Sequence, residues 1–417
     1  MKLVRTTGRG RETIDALTER RVNSWDRVLP QARRIVESVR RGGDDALLRL
    51  RSRLDGIPSQ APLRIPEVEL RLALENTSEA VRQALKTAGR NIRAFATQQR
   101  PKEFSLNIAR GVVTGQRVVP LDSAGCYVPS GRYPLPSTLL MTVIPAQVAG
   151  VKRIVVVSPH PAKETLAAAA MLGVTEFYRV GGAHAIAALA YGTASLPRVD
   201  KIAGPGNAWV TAAKKLVAFD CAIDMLAGPT EIVVTSETGD PVAIASDLVA
   251  QAEHDPDATA ILITTRGDLA RAVMAEVKTR TRKNKIATQA LAKHGLAIVA
   301  RSVEEARALT NQIAPEHLTV DNSADLKWVR HAGSVFVGRW SAQPLGDYVS
   351  GPNHTLPTGG QARMRGGLSV LDFLKVITVQ EYSEEGVQRL GPAAIRLANA
   401  EGLSGHAEAI RVRGAHD

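Results

Sequence analysis

Between residues 153 and 218 the chain repeats one order of textures: an apolar run, a glycine loop, a helical stretch. RIVVVSP (153–159) has the unbroken apolar character of a strand buried on both faces. A helix, PAKETLAAAAMLG, follows, then the short strand EFYRV and the glycine loop VGGAHAIAALA. KIA, the loop GPGN and the helix AWVTAAKKLVA repeat the order. Strand, loop and helix in this succession build parallel βαβ units, with the loops at the carboxyl ends of the strands.

A second series begins near Thr230. EIVVTS reads as a strand, and Asp240-Pro241 supplies an N-cap and first-turn proline for the helix that carries QAEH (251–254). ATAILITT is a strand, GDLARAVMAEVKTR a helix and GLAIVA another strand. Ser302 and Glu305 have the spacing of a capping box for the next helix, which ends at IAPEHLTV, and AGSVFVG closes the series as a strand. Two α/β sheets are therefore expected. The first hundred residues read as helices. The Gly- and Pro-rich DSAGCYVPSGRYPLPS (122–137) reads as a linker-like passage before a helical run at 138–149, and the last forty or so residues as a helical appendage.

Composition narrows the partners. A chain of 417 residues has room for two or more domains. Cys126 and Cys221 are its only cysteines, too few for a disulfide framework or a thiolate metal cage. With no apolar signal stretch in MKLVRTTGRGRETI, a reducing, cytoplasmic location is expected. STLLMTVIPAQVAGV (137–151), broken by Pro145 and Gln147, is too short and polar to span a membrane. The net charge of +12 raises the question of nucleic acid. Residues 1–100 hold 21 Lys and Arg against 12 Asp and Glu, so most of the excess lies there. Those arginines fall between helically spaced apolar positions, the pattern of solvated helix faces. No nucleic-acid-binding motif accompanies them, and no such partner is expected.

Several short stretches carry chemistry. Gln251 and His254 stand at i and i+3 before Pro256, a spacing that puts both on one helix face, although a polar last turn alone would also suit a histidine. In APEHL, Glu316 and His317 are an acid/base pair suited to neutral pH, in a segment expected to be extended, with their side chains on opposite faces. GGAH and GPGN are candidate phosphate cradles, but the dinucleotide fingerprint is absent, because Trp209 stands where its third glycine belongs. GDYVSGPNHTLPTGG sets Asp347, Asn353 and His354 in a loop, and AEGLSGHAEAIRVR sets Glu401 and His406 on a helical stretch. Carboxylate, imidazole and amide oxygen together form a reasonable ligand set for zinc, or for manganese or iron. Neither HExxH nor G-x-S-x-G is present, which speaks against an ordinary metalloprotease or serine hydrolase.

The stretches GCYVPSGRYPLPSTLLM, VGGAxAIAALAYGT, DKIAGPGN, LAGPTE, DLVAQAEHDPDA, APEHL, GDYVSGPNHTLPTGG and EGLSGHA occur together and in order. In this the chain resembles the histidinol dehydrogenase family over nearly its whole length. The resemblance implies an α/β fold of two Rossmann-like, incompletely doubly wound domains, with a helical N-terminal segment and a C-terminal helical tail, in a domain-swapped dimer. Its parts would be an N-terminal extension (1–22), a first α/β domain bearing metal and substrate (23–126 with 230–368), a second on the NAD side (127–229), and a tail (369–417) reaching the partner's site.

It further implies one Zn2+ per subunit, with Gln251, His254, Asp347 and His406 as ligands, the last donated across the dimer together with Glu401. Glu316 and His317 match the acid/base pair, Thr230 a substrate-contacting position, and His354 the loop beside the substrate. Gln251, His254, His317, Asp347, Glu401 and His406 would also meet the substrate. Tyr127 and Asn207 match NAD contacts. The implied reaction is the four-electron oxidation of L-histidinol to L-histidine through the aldehyde, the last two steps of histidine biosynthesis, with two NAD+ used in turn. In that assignment His317 takes the alcohol proton and Glu316 activates water, and both cysteines are structural.

One departure concerns the cofactor: His184 stands where the family usually has glutamine, so weaker and pH-sensitive NAD binding is expected. QPLGDYVS and GGQARMRGGLSV are also unusual around Asp347 but leave the ligands intact. The alternatives are a sister dehydrogenase acting on another polar alcohol such as a sulfonated diol, a metal-dependent hydrolase using Glu316 without NAD, and a basic binding module with salt-sensitive affinity for nucleic acid.

Overall fold

The computed structural model describes residues 1–8, 10–19, 25–131 and 133–415, and the expected boundary between 22 and 23 lies outside them. Three sheets organise the chain. The first contains β1 (Lys2–Arg5), β9 (Glu231–Thr235), β10 (Thr259–Thr264), β11 (Leu296–Val299), β12 (His317–Val320) and β13 (Ser334–Val337), all parallel, in the order β1-β11-β10-β9-β12-β13. The second contains β4 (Ser123–Tyr127), β5 (Arg153–Val157), β6 (Glu176–Tyr178), β7 (Lys201–Ala203) and β8 (Ala222–Ile223), also parallel, in the order β6-β5-β4-β7-β8. The third is antiparallel and joins β2 (Phe104–Ala109), β3 (Val112–Pro120) and β14 (Leu374–Tyr382).

The two parallel sheets match the two βαβ series, and inner strands such as β4, β9 and β10 are buried throughout because helices cover both faces. In the six-stranded sheet Ile232 and Val234 pack with the helices Pro241–Ala252, Gly267–Arg280 and Lys285–His294, while Val233 packs on the other face with Gly10–Glu19 and Val303–Ile313. The expected caps form: Asp240 Oδ1 accepts from Val242 N at 2.9 Å, and Ser302 Oγ from Glu305 N at 3.2 Å. The Glu305 carboxylate reaches Arg301 N at 2.7 Å, one residue before the N-cap.

The chain departs from expectation in four places. Its first residues form an edge strand, β1, rather than a helix. The linker-like passage contains β4, the central strand of the five-stranded sheet, with all five residues buried. Gly125 is small there because Leu189 and Val199 press against it, so the glycine that suggests a linker is a packing requirement. β2 and β3 form a hairpin not anticipated from sequence, and β14 pairs with β3 at long range, Leu374 with Pro120 through Tyr382 with Val112, at the start of a tail expected to be helical. Beyond β14 the tail is helical as expected, in Glu384–Ala400 and Ser404–Arg411.

The fourth departure is the grouping of residues 23–126 with 230–368. Val36, Val39, Leu47 and Leu50 of the helix Leu29–Asp55 share a core with Val155 and Val157. Leu70, Leu85 and Ile92 of the next two helices share another with Cys126 and Val156. Residues 29–98 therefore cover the five-stranded sheet, since the six-stranded sheet is already covered by its own crossovers.

Both parallel sheets reverse their build-up direction once. From β9 the chain adds β10 and β11 on one side, then β12 and β13 on the other; from β4 it adds β5 and β6, then β7 and β8. Among the described residues no helix is long and apolar enough to cross a membrane.

Candidate active site

The residues expected to act as acid and base gather at the amino ends of the six-stranded sheet. Thr230 immediately precedes β9, Glu316 precedes β12, and His317 is the first residue of β12. The helix Pro241–Ala252 runs back across the sheet, so Gln251 at its end reaches the same edge. A cavity of about 380 Å³ opens there, lined among others by His317, Ser334, Phe336, Asp347 and His354.

Glu316 is buried, and its Oε2 accepts from Thr230 Oγ1 at 2.6 Å and from Glu231 N at 2.8 Å. Burial outweighs His317 and Thr230 and pushes its pKa up to about 7. His317 Nδ1 lies 3.2 Å from the Glu231 carbonyl, which can only accept, so Nδ1 carries the hydrogen and Nε2 the lone pair of the neutral ring. Nδ1 is 3.6 Å from Glu316 Oε2 and Nε2 is 3.7 Å from Asp347 Oδ1, too long for hydrogen bonds and short enough for ionic attraction. Burial opposes a charge on His317, but Glu316 and Asp347 prevail and hold its pKa above the ordinary value.

Glu316 and His317 were expected on opposite faces of an extended segment; instead they converge. Ala314, with φ 51°, closes the preceding helix, and regular pleating starts only at His317, so Glu316 is outside the alternation.

Gln251 is fully buried and donates through Nε2 to Thr230 Oγ1, while its Oε1 has no hydrogen-bond partner. Its helix ends at Ala252 with Glu253 as C-cap, one turn before Pro256, so His254 stands just beyond the helix and is exposed. It remains close enough to His354 to disfavour charge there.

Asp347 lies on the short helix Gln343–Tyr348. Burial raises its proton affinity, but His317 first, then His354 and Gln343, hold its pKa below the usual carboxylate value. His354 uses both ring nitrogens internally: Nδ1 donates to the Asp347 carbonyl at 2.8 Å, and Nε2 accepts from Thr138 Oγ1 at 3.1 Å. Burial keeps its pKa below the ordinary histidine value. Gln343 was not anticipated from sequence. It is buried and donates from Nε2 to Asp347 Oδ2 at 2.8 Å; the signal was its position one helical turn before a candidate ligand.

Glu401 and His406 are exposed, and the two helices that hold them pack on each other around Ile395, Ala398, Ala407 and Ala415. Neither residue lines the cavity. Among the described residues no three His, Cys, Asp or Glu side chains of one chain form a metal cage. A buried amide oxygen without a partner, a nearby carboxylate and an imidazole nevertheless fit the donor chemistry of zinc.

The residues expected at NAD gather at the other sheet, at the carboxyl ends of its strands. Tyr127 ends β4, and its hydroxyl accepts from Gly182 N at 3.1 Å. Asn207 caps the helix Ala208–Val217, its Oδ1 accepting from Trp209 N and Val210 N. His184 is buried and its Nε2 meets Asp55 Oδ2 at 2.9 Å; the same oxygen accepts from Gly181 N at 3.0 Å. His184 Nδ1 and Ser158 Oγ are buried without hydrogen-bond partners at this edge, which suits a polar ligand. In each glycine loop one N–H is already taken by a carboxylate: Gly181 N by Asp55, and Gly204 N by Asp224 Oδ2 at 2.7 Å.

A family model described as histidinol dehydrogenase matches residues 18–414. The histidinol dehydrogenase of Synechococcus sp. is 47% identical over 396 residues, covering 91% of each chain. That of Methanothermobacter thermautotrophicus is 44% identical over 414 residues, covering 96% of each. The crystal structure of histidinol dehydrogenase from Elizabethkingia anophelis superimposes with a TM-score of 0.92 at 34% identity, covering 99% of this chain and 98% of that one. The chain belongs to the histidinol dehydrogenase family of oxidoreductases.

Proposed function

We propose that this chain oxidises L-histidinol to L-histidine through L-histidinaldehyde, as a zinc-dependent, NAD-linked homodimer in the cytoplasm. The observation that carries the reading is the pair Glu316 and His317, two buried bases 3.6 Å apart beside the bare oxygen of Gln251. One zinc per subunit, held by Gln251, His254, Asp347 and the partner subunit's His406, would hold and polarise the amino alcohol. NAD, beside Tyr127, His184 and Asn207, would accept one hydride in each half-reaction.

The chain's own residues handle the protons. His317 Nε2 takes the hydroxyl proton as the carbinol carbon gives up its hydride, and the imidazolium is stabilised by Glu316 on one side and Asp347 on the other. In the second half Glu316 takes a proton from the water that adds to the aldehyde carbon, which leaves the hydrate as its oxyanion. Loss of a hydride from that anion leaves the carboxylic acid. Thr230 orients the Glu316 carboxylate throughout.

A two-chain site is supported by the exposure of Glu401 and His406, and by the uncovered apolar side chains Phe104, Leu106, Ile108, Val376 and Val379 on the antiparallel sheet. The division proposed is a metal and substrate half on the six-stranded sheet and a Rossmann-like NAD half on the five-stranded one.

The test is stoichiometry. Zinc-loaded protein given L-histidinol and excess NAD+ is expected to form about two NADH per histidinol, and none after a chelator has removed the metal. No NADH from folded, metal-loaded protein would overturn the reading in favour of a related dehydrogenase for another polar alcohol.

His184 yields a second expectation. Its one donor, Nε2–H, is committed to Asp55 and leaves only the acceptor Nδ1, whereas a glutamine amide could bond Asp55 through one N–H and still offer a second N–H as well as its oxygen to the cofactor. His184→Gln is expected to tighten NAD binding about fivefold by calorimetry, the worth of one ordinary hydrogen bond. An unchanged affinity would remove His184 from the cofactor site.

A further inference from the structure

Two buried glutamines bond residues of the candidate site, Gln251 to Thr230 and Gln343 to Asp347, and both use the amide in the same way: Nε2 is engaged and Oε1 is bare. The bare oxygen of Gln251 is accounted for by the metal. That of Gln343 is not, since Gln343 is not among the residues that would hold the metal. A buried acceptor without a partner costs free energy that an apolar side chain of the same length would avoid. What the amide supplies in return is the bond from Nε2 to Asp347 Oδ2, 2.8 Å long and one helical turn away.

That bond has only one possible sense. A carboxylate accepts and does not donate, so the NH2 must face Asp347 and the oxygen must turn away. With Oδ2 held, the other oxygen of Asp347 is the one left 3.7 Å from His317 Nε2. The backbone N–H of Gln343 faces the carboxylate of Asp247 closely enough to favour its charged form. Asp247 lies one turn before Gln251 on the same helix, so a single residue ties that helix to the Asp347 carboxylate.

We propose that Gln343 is a positioning residue: its side-chain amide fixes the rotation of the Asp347 carboxylate, holding one oxygen and presenting the other to His317 and the bound cation. The inference rests on the metal reading above and specifies which group keeps that ligand aimed.

Two variants separate this role from simple packing. Gln343→Met keeps length and fills the space without a donor, and Gln343→Asn keeps an amide that is one methylene too short to reach Asp347. Each is expected to lose zinc to a competing chelator at least about tenfold more readily than wild type, and to show a lower kcat with a smaller change in KM. In an Asp347→Asn background, Gln343→Met is expected to weaken zinc retention no further. A purely structural role would lower the melting temperature and leave the zinc retention and kcat of the folded protein unchanged. Zinc retention equal to wild type in either folded variant overturns the proposal. A wild type that holds no zinc overturns the metal reading and this inference with it.

Discussion

Replacing Glu316 with glutamine is expected to stop the oxidation halfway. The substitution preserves shape, and the amide oxygen can still accept from Thr230 Oγ1 and Glu231 N, so the fold and the Thr230 contact should survive. What disappears is the base for water. The yield should fall from about two NADH per histidinol to about one, and steady-state oxidation of the aldehyde should drop by about 10²–10⁴-fold. The pH dependence supplies an independent sign. Burial pushes Glu316 to about 7, so its basic form is depleted as the pH falls through that value, and the wild-type aldehyde half-reaction should decline there. In Glu316→Gln that limb should vanish. The alcohol half-reaction should respond in the opposite way. Glu316 is the strongest influence holding a proton on His317, so its neutralisation lets the ring lose that proton at lower pH, and the acid limb of the first step should move down. Two NADH per histidinol from the variant, at an undiminished rate, would mean that another group activates water.

The parts of this site that were legible in the sequence are those whose meaning lies within a few residues. Gln251, Glu316 and His317 stand in short motifs, and parallel βαβ patterning places them near strand ends. What the motifs do not carry is which end. A topological switch point leads one to expect ligands at strand carboxyl ends. Tyr127 and Asn207 obey that rule, whereas Thr230, Glu316 and His317 occupy amino ends. Nothing in APEHL announces this, because it depends on the left-handed Ala314 and on where the crossover helix delivers Gln251. β4 was hidden for another reason: SAGCY looks like a loop by composition, yet its small residues are what a central strand needs under closely packed helices. β3 and β14 are separated by some 250 residues, and β14 is exposed on both faces, so neither local alternation nor burial marks it. Asp55 was invisible as well, and Gln343 was marked only by its place one helical turn before Asp347. Each acts through one hydrogen bond to a recognisable residue, and no spacing rule predicts that Asp55 reaches His184.

The loop GPGN illustrates the same limit and carries the largest stability effect expected here. Gly204 has φ 122°, and a side chain there would collide with the Tyr127 carbonyl, so the loop is fitted directly against a residue of the proposed cofactor site. It is held in that position by a buried ion pair. Lys214 Nζ bonds Asp224 Oδ1 and donates to the Gly204 carbonyl at 3.0 Å, while Asp224 Oδ2 accepts from Gly204 N at 2.7 Å and Oδ1 from Met225 N at 2.6 Å. The two side chains are 3% and 0% exposed. Such a pair adds little compared with a well-packed apolar pair, but removing one partner strands the other charge away from water. Lys214→Met is therefore expected to destabilise the protein by about 3–5 kcal/mol, read as a lower denaturation midpoint at unchanged slope. Adding Asp224→Asn should recover part of the loss, because the stranded charge is then gone while its oxygen can still accept from Gly204 N. NAD affinity should remain weakened in both variants, since the Gly204 carbonyl has lost its donor and the loop its brace. If Lys214→Met costs less than about 1 kcal/mol, the hydrogen bonds to Asp224 alone hold the loop, and the lysine is dispensable to it.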